Sequence, residues 1–131
     1  TLSSSSAASD VYKRQLTNKT LTSPLINVGI NAQTGTTYTT VLGDNGKLVT
    51  LANGGSITAT IPPFSSVAYP VGAQLNFAQY GAGQVTFAQG AGVTIASTGA
   101  TETAPKLRAK YSSATAICVS QDNWLIAGDI A

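Results

Sequence analysis

Ser56-Ile57-Thr58-Ala59-Thr60-Ile61-Pro62-Pro63 alternates strictly. Successive side chains on a strand point to opposite faces, so Ile57, Ala59 and Ile61 share one face and the hydroxyls share the other. One face suits a core and the other suits water. The two prolines end the strand, because proline has no N–H to give to a ladder. On the other side, Asn53-Gly54-Gly55 is a turn made of residues that tolerate positive φ.

The same pattern extends in both directions. Upstream, Thr37 to Leu42 runs into Gly43-Asp44-Asn45-Gly46, and Lys47 to Leu51 follows. Downstream, Ala73 to Gln79 places Leu75 and Phe77 on one face. Gly81-Ala82-Gly83 turns the chain, Gln84 to Ala88 alternates again, and Gly90-Ala91-Gly92 breaks it. Val93 to Ile95, Leu107 to Tyr111, Ala114 to Val119 and Trp124 to Ala127 complete the series, with a Gln121-Asp122-Asn123 turn before the last. Phe64 to Pro70 is a loop or a single helical turn. About eight or nine short strands at turn spacings of roughly 8–12 residues predict an all-β fold, a small antiparallel β-sandwich or jelly-roll-like domain. No segment holds a helical period long enough for βαβ units.

The expected core is Val41, Leu48, Leu51, Ile57, Ile61, Val67, Leu75, Phe77, Val85, Phe87, Val93, Ile95, Leu107, Tyr111, Ile117, Val119, Trp124 and Ile126. Side chains of this size contribute ~1.5–3 kcal/mol each when buried. The domain is expected over 36–131. Residues 16–35 form an extended, shaft-like connector: Leu16, Leu21 and Ile26 recur every five residues, a spacing no helix matches, and Pro24 and Gly29 oppose helix.

Residues 1–15 stand apart. Ser5 to Gln15 reads back, codon for codon, as a string that resembles the transposase adapter of shotgun DNA library preparation. The expectation is a translated adapter artefact, not native sequence, which belongs outside the fold. The absence of Met fits an environmental gene fragment. Setting that stretch aside leaves Lys19, Lys47, Lys106, Arg108 and Lys110 against Asp44, Glu102, Asp122 and Asp129. So even a balance gives no basic patch for nucleic acid. No apolar stretch approaches the ~20 residues of a membrane span, so no membrane insertion is expected.

Chemistry-bearing residues are few. There is no His and one Cys. Cys118 sits in an apolar run and reads as a small buried hydrophobe rather than a nucleophile. The acids form no recognisable pair. Asp44-Asn45-Gly46 touches on a calcium loop, but the downstream ligands are missing, and a turn is the better reading. Asp129 reads as a turn residue or hydrogen-bond acceptor. Gly81-Ala82-Gly83 and Gly90-Ala91-Gly92 are strand turns, since no Lys-Ser/Thr follows them. Gly46, Gly72 and Gly83 each lie in a turn, where positive φ is cheapest for glycine, and are expected to act through backbone geometry rather than through a ligand. Lys106, Arg108 and Lys110 alternate, so on a strand they would share a solvated face. Asn18-Lys19-Thr20 matches a glycosylation sequon that means little in a bacterial or viral protein. Tyr38, Tyr69, Tyr80 and Trp124 lie near turns. Trp124 reads as core, while Tyr69 and Tyr80 stand between core and sugar platform. No catalytic, cofactor-binding or metal residue is assigned, and the binding residues are unknown at this stage.

Several motifs, taken in order, resemble tailed-bacteriophage fibre proteins. They are Leu16-Thr17-Asn18-Lys19-Thr20-Leu21-Thr22-Ser23-Pro24, Gly46 to Leu51, Ile61-Pro62-Pro63, Tyr69-Pro70-Val71-Gly72, Gln79 to Phe87, and the ending Trp124 to Ala131. The resemblance spans residues 16–131. It implies a non-enzymatic, structural and adhesive module of a virion. This would be the distal domain of a tail fibre, homotrimeric, contacting a host-surface glycan or protein, and needing no cofactor. The alternative is a carbohydrate-binding or adhesion module of a bacterial extracellular protein.

Overall fold

The computed structural model describes residues 20, 22–98 and 103–131. The expectations for residues 1–15, for most of 16–21 and for Glu102 lie outside the described residues. The strands are β1 (Ile30–Gln33), β2 (Thr37–Thr39), β3 (Leu48–Leu51), β4 (Ile57–Ile61), β5 (Gln74–Gln79), β6 (Val85–Gln89), β7 (Thr94–Ser97), β8 (Ser113–Ser120) and β9 (Asn123–Gly128). A short 3-10 turn, Leu42–Asp44, joins β2 to β3. The all-β class is therefore as expected.

The strands form two sheets, one ordered β1-β3-β5-β8-β9-β7 and the other β2-β4-β6. Successive strands from β1 to β6 alternate between them. Neighbours within a sheet are thus one full coil apart and run the same way. β1–β3, β3–β5, β2–β4 and β4–β6 are all parallel. This corrects the antiparallel expectation. Only β5–β8 and β8–β9 are antiparallel, and β7 joins β9 in parallel. The reason lies in the corners. Asn53-Gly54-Gly55 and Gly81-Ala82-Gly83 do not fold a strand back on itself. They carry the chain from one sheet to the other, as in stacked solenoid coils. β1 also falls inside the stretch read as connector, where it pairs with β3.

The glycines permit the stacking. Gly83 N–H donates to the Asn53 carbonyl at 2.8 Å, and Gly81 N–H to the Leu51 carbonyl at 3.3 Å. A Cβ at Gly81 would collide with the Asn53 backbone, and one at Gly83 with the Gly55 carbonyl. Gly46 and Gly72 have positive φ, +79° and +88°, as expected. Gly83 does not; close backbone approach requires it instead.

The core lies between the sheets. Val49, Leu51, Leu75, Phe77, Trp124 and Ile126 from one face Ile57, Ile61, Val85 and Phe87 from the other. Phe77 and Phe87 meet across it, edge to face, at 4.9 Å. Twelve of the expected core residues are buried, from Leu51 through Ile126, and Val67 packs against them. Leu48 is half-buried. Val41, Tyr111, Ile117 and Val119 are exposed, which corrects the expected core. In β8 the small residues Ala114, Ala116 and Cys118 point inward, and Ile117 and Val119 point out. Register explains it: Ala114 sits opposite Phe77, and Cys118 opposite Trp124. Large rings on the neighbouring strands leave room for only small partners on that face.

The first coil closes the core with polar groups. Its inward positions are Asn31, Gln33 and Tyr38, where the next coil places Val49, Leu51 and Ala59. Terminal coils of a stack need such a polar end.

Candidate functional site

Three acids invited scrutiny as chemistry, and each is engaged by the fold. Asp44 is buried. Its carboxylate accepts from Asn31 Nδ2 at 2.8 Å, Tyr38 Oη at 2.7 Å and Val41 N–H at 3.0 Å. Burial, with Asp44 close by, raises the Tyr38 phenol well above its ordinary pKa, so it remains a donor. The sequence reading of Asp44 as a turn residue was right about the turn and missed the burial. Asp122 has φ +59° and accepts the Phe64 N–H at 2.6 Å. Asp129 accepts Arg108 Nε at 2.7 Å, Arg108 Nη2 at 3.0 Å and Ser112 Oγ at 2.6 Å. The Arg108 and Ser112 hydrogen bonds hold the Asp129 carboxyl below the usual carboxylate range. Cys118 is buried as expected, and burial with Asp122 pushes its thiol up.

The aromatics divide. Trp124 is core, as expected, and meets Tyr69 edge to face at 5.2 Å. Tyr69 is buried too. Its hydroxyl donates to the Val41 carbonyl at 2.7 Å, and burial pushes its pKa up to about 12. The space among Pro62, Val67, Tyr69, Cys118 and Trp124 measures about 10 Å³, at most room for one water. Tyr38 lies in the polar end of the first coil.

Tyr80 and Tyr111 are different. They are 50% and 67% exposed, and their rings meet edge to face at 5.7 Å and 89°. Lys110 Nζ lies 5.0 Å from the centre of the Tyr111 ring. Tyr80 follows β5 at the corner, and Tyr111 precedes β8, the strand paired with it. The two rings thus cap one sheet end beside Gly81. Tyr111 was expected in a core strand. Instead, Ser112 N–H donates to the Ala109 carbonyl at 3.0 Å, closing a turn over Lys110 and Tyr111. Tyr111 takes φ +71° there, at the position where type II turns want glycine. A non-glycine residue in that region costs about 1–3 kcal/mol and persists only when its surroundings impose it. The surroundings do impose it: Tyr111 N–H donates to Gln79 O at 2.7 Å, and Gln79 N–H to Ser112 O at 3.0 Å. Ser112 Oγ accepts the Ala109 N–H at 3.0 Å while Asp129 holds its hydroxyl. The Arg108–Asp129 pair therefore braces the turn that presents Tyr111. Lys106, Arg108 and Lys110 do not share a strand face: Lys106 bridges Thr86, Arg108 meets Asp129, and Lys110 sits in the turn.

A second surface stands out. None of the nine strands contains a charged residue. On the outer face of the six-stranded sheet, Ile30, Ile117, Val119 and Leu125 are exposed among Ala, Thr, Asn and Gln. Ile117 pairs with Leu125, so two of these side chains adjoin. Leu25, Ile26 and Val28, leading into β1, are exposed as well. Among the described residues, no helix is long and apolar enough to cross a membrane. No protein-family model matches the chain, and no curated protein matches it.

Proposed function

We propose that this chain is a non-enzymatic structural and adhesive module of a virion appendage. It is the distal domain of a tailed-bacteriophage tail fibre, assembled as a homotrimer and contacting a host-surface glycan or protein. The observation that carries the reading is the uncharged outer face of the six-stranded sheet. β8 puts its small side chains inside and its large ones outside, an arrangement that makes sense if another surface covers it. A symmetric assembly brings each residue near its own copies, so a face free of like charges is suited to it. The acids support the non-enzymatic part: Asp44, Asp122 and Asp129 each serve a hydrogen bond of the fold. The exposed Tyr80–Tyr111 pair favours the second reading, a carbohydrate-binding or adhesion module of a bacterial extracellular protein.

The genes that flank this reading frame separate the two. Virion assembly genes on both sides are the expected result. Neighbours encoding secretion or cell-wall functions would overturn the virion assignment and favour the second reading.

A further inference from the structure

We infer that Tyr80 and Tyr111, with Lys110, form a shallow ledge that takes the C–H face of an acidic pyranose in a surface glycan. This inference rests on the adhesive reading above and names the surface that performs it.

Three observations converge. Two tyrosines side by side leave apolar ring surface in water, 50% and 67% exposed, and rings of this kind stack well on any flat apolar face. The arrangement is rigid as well as exposed. The rings brace each other edge to face, and Tyr111 is gripped through its backbone by Gln79 and through its turn by Ser112, Asp129 and Arg108. A rigid ring gives up little freedom on binding. Finally, Tyr111 occupies a positive-φ turn position that glycine would fill without strain. A fold that needed only the turn would be better served by glycine. Retained strain at an exposed side chain points to use of that side chain.

The charge narrows the ligand. Lys110 Nζ stands over the Tyr111 ring, 5.0 Å from its centre, leaving the opposite ring face to a ligand, and among the described residues no carboxylate lies within ion-pair distance of it. A pyranose offers a ring patch of C–H groups for the tyrosines. A carboxylate on the same sugar would meet the ammonium in a charge-assisted hydrogen bond. Hexuronic acids carry both features. A neutral sugar would use the rings alone.

The test is an amide-shift titration of the full chain with tetragalacturonate, and with galactotetraose as the neutral comparison. Both should move the Tyr80, Gly81 and Tyr111 amides, the acidic sugar at lower concentration. Tyr111→Gly should weaken both by roughly ten-fold or more, the scale of losing one stacking ring, with the melting temperature unchanged or raised because the turn is relieved. Lys110→Gln should weaken the acidic sugar about three- to ten-fold and leave the neutral one unchanged. Unaltered binding by Tyr111→Gly would overturn the inference. So would a failure of either sugar to move these amides at tens of millimolar. Shifts confined to another surface would overturn the ledge and leave the adhesive reading standing. Concentration-dependent broadening at Tyr80 and Tyr111 without sugar would make the ledge a contact between copies and overturn it. The adhesive reading falls separately, if the chain also fails to adsorb to purified bacterial surface polysaccharides.

Discussion

Gly83 and Gly46 look alike in the sequence, each a glycine in a turn, and the structure asks different things of them. Gly46 needs its positive φ and has open space around it. Gly83 has no positive φ and no room, because the backbone of the preceding corner, at Gly55, lies where its Cβ would be. Gly46→Ala should therefore cost about 1 kcal/mol, the strain of a left-handed residue. Gly83→Ala should cost about 3 kcal/mol or more, since a backbone carbonyl cannot step aside. Urea denaturation of both variants checks the order. Equal costs would mean that the corners are not stacked this closely. Tyr69 makes a second prediction at this scale. Its folded pKa is raised from 10.0 to about 12. The stability it contributes is thus fully present below pH 10 and is lost as pH rises toward 12, because the unfolded phenol ionises first. Tyr69→Phe should lower stability by about 1 kcal/mol at neutral pH, through the lost bond to Val41. It should also flatten the decline between pH 10 and 12. Thermal melts across that window measure both effects.

At the scale of elements, the first coil is held by the Asp44 cluster. Asp44→Ala removes the acceptor for Asn31, Tyr38 and the Val41 N–H together. The expected loss is about 3 kcal/mol, and β1 and β2 should exchange their amide hydrogens before the rest of the sheets. Uniform loss of protection across β1 to β6 would count against a separable polar end. The alternation of β4, β5 and β6 was legible because each carries large apolar residues on one face only. β8 was not, because Ala114, Ala116 and Cys118 are too small to announce an inward face beside Ile117 and Val119. Pairing direction was not legible either: Asn-Gly and Gly-X-Gly turns serve a coil corner as well as a hairpin, and only a partner one coil away distinguishes them. Tyr80 was legible as an undecided surface aromatic. Tyr111 was hidden by the alternation of Leu107, Ala109 and Tyr111, which reads as a strand although Ala109 to Ser112 closes a turn. The burial of Asp44 left no local signal, because its donors come from as far away as Asn31.

For the whole molecule, the nine strands carry no charged residue and present neutral faces. A solitary chain would leave Ile30, Ile117, Val119 and Leu125 in water, with Leu25, Ile26 and Val28 beside them. The homotrimer proposed above covers such a surface. Replacing Ile117 and Leu125 together by lysine would place adjacent like charges on that face, where every copy would bring its own pair. The monomer fold should survive, since both side chains already point outward. The direct measurement is light scattering at micromolar concentration on the chain, with and without the Ile117→Lys and Leu125→Lys changes. The proposal predicts three times the single-chain mass for the unaltered protein and the single-chain mass for the doubly substituted one, with the β-sheet circular dichroism of both the same. A clean monomer from the unaltered protein would contradict it.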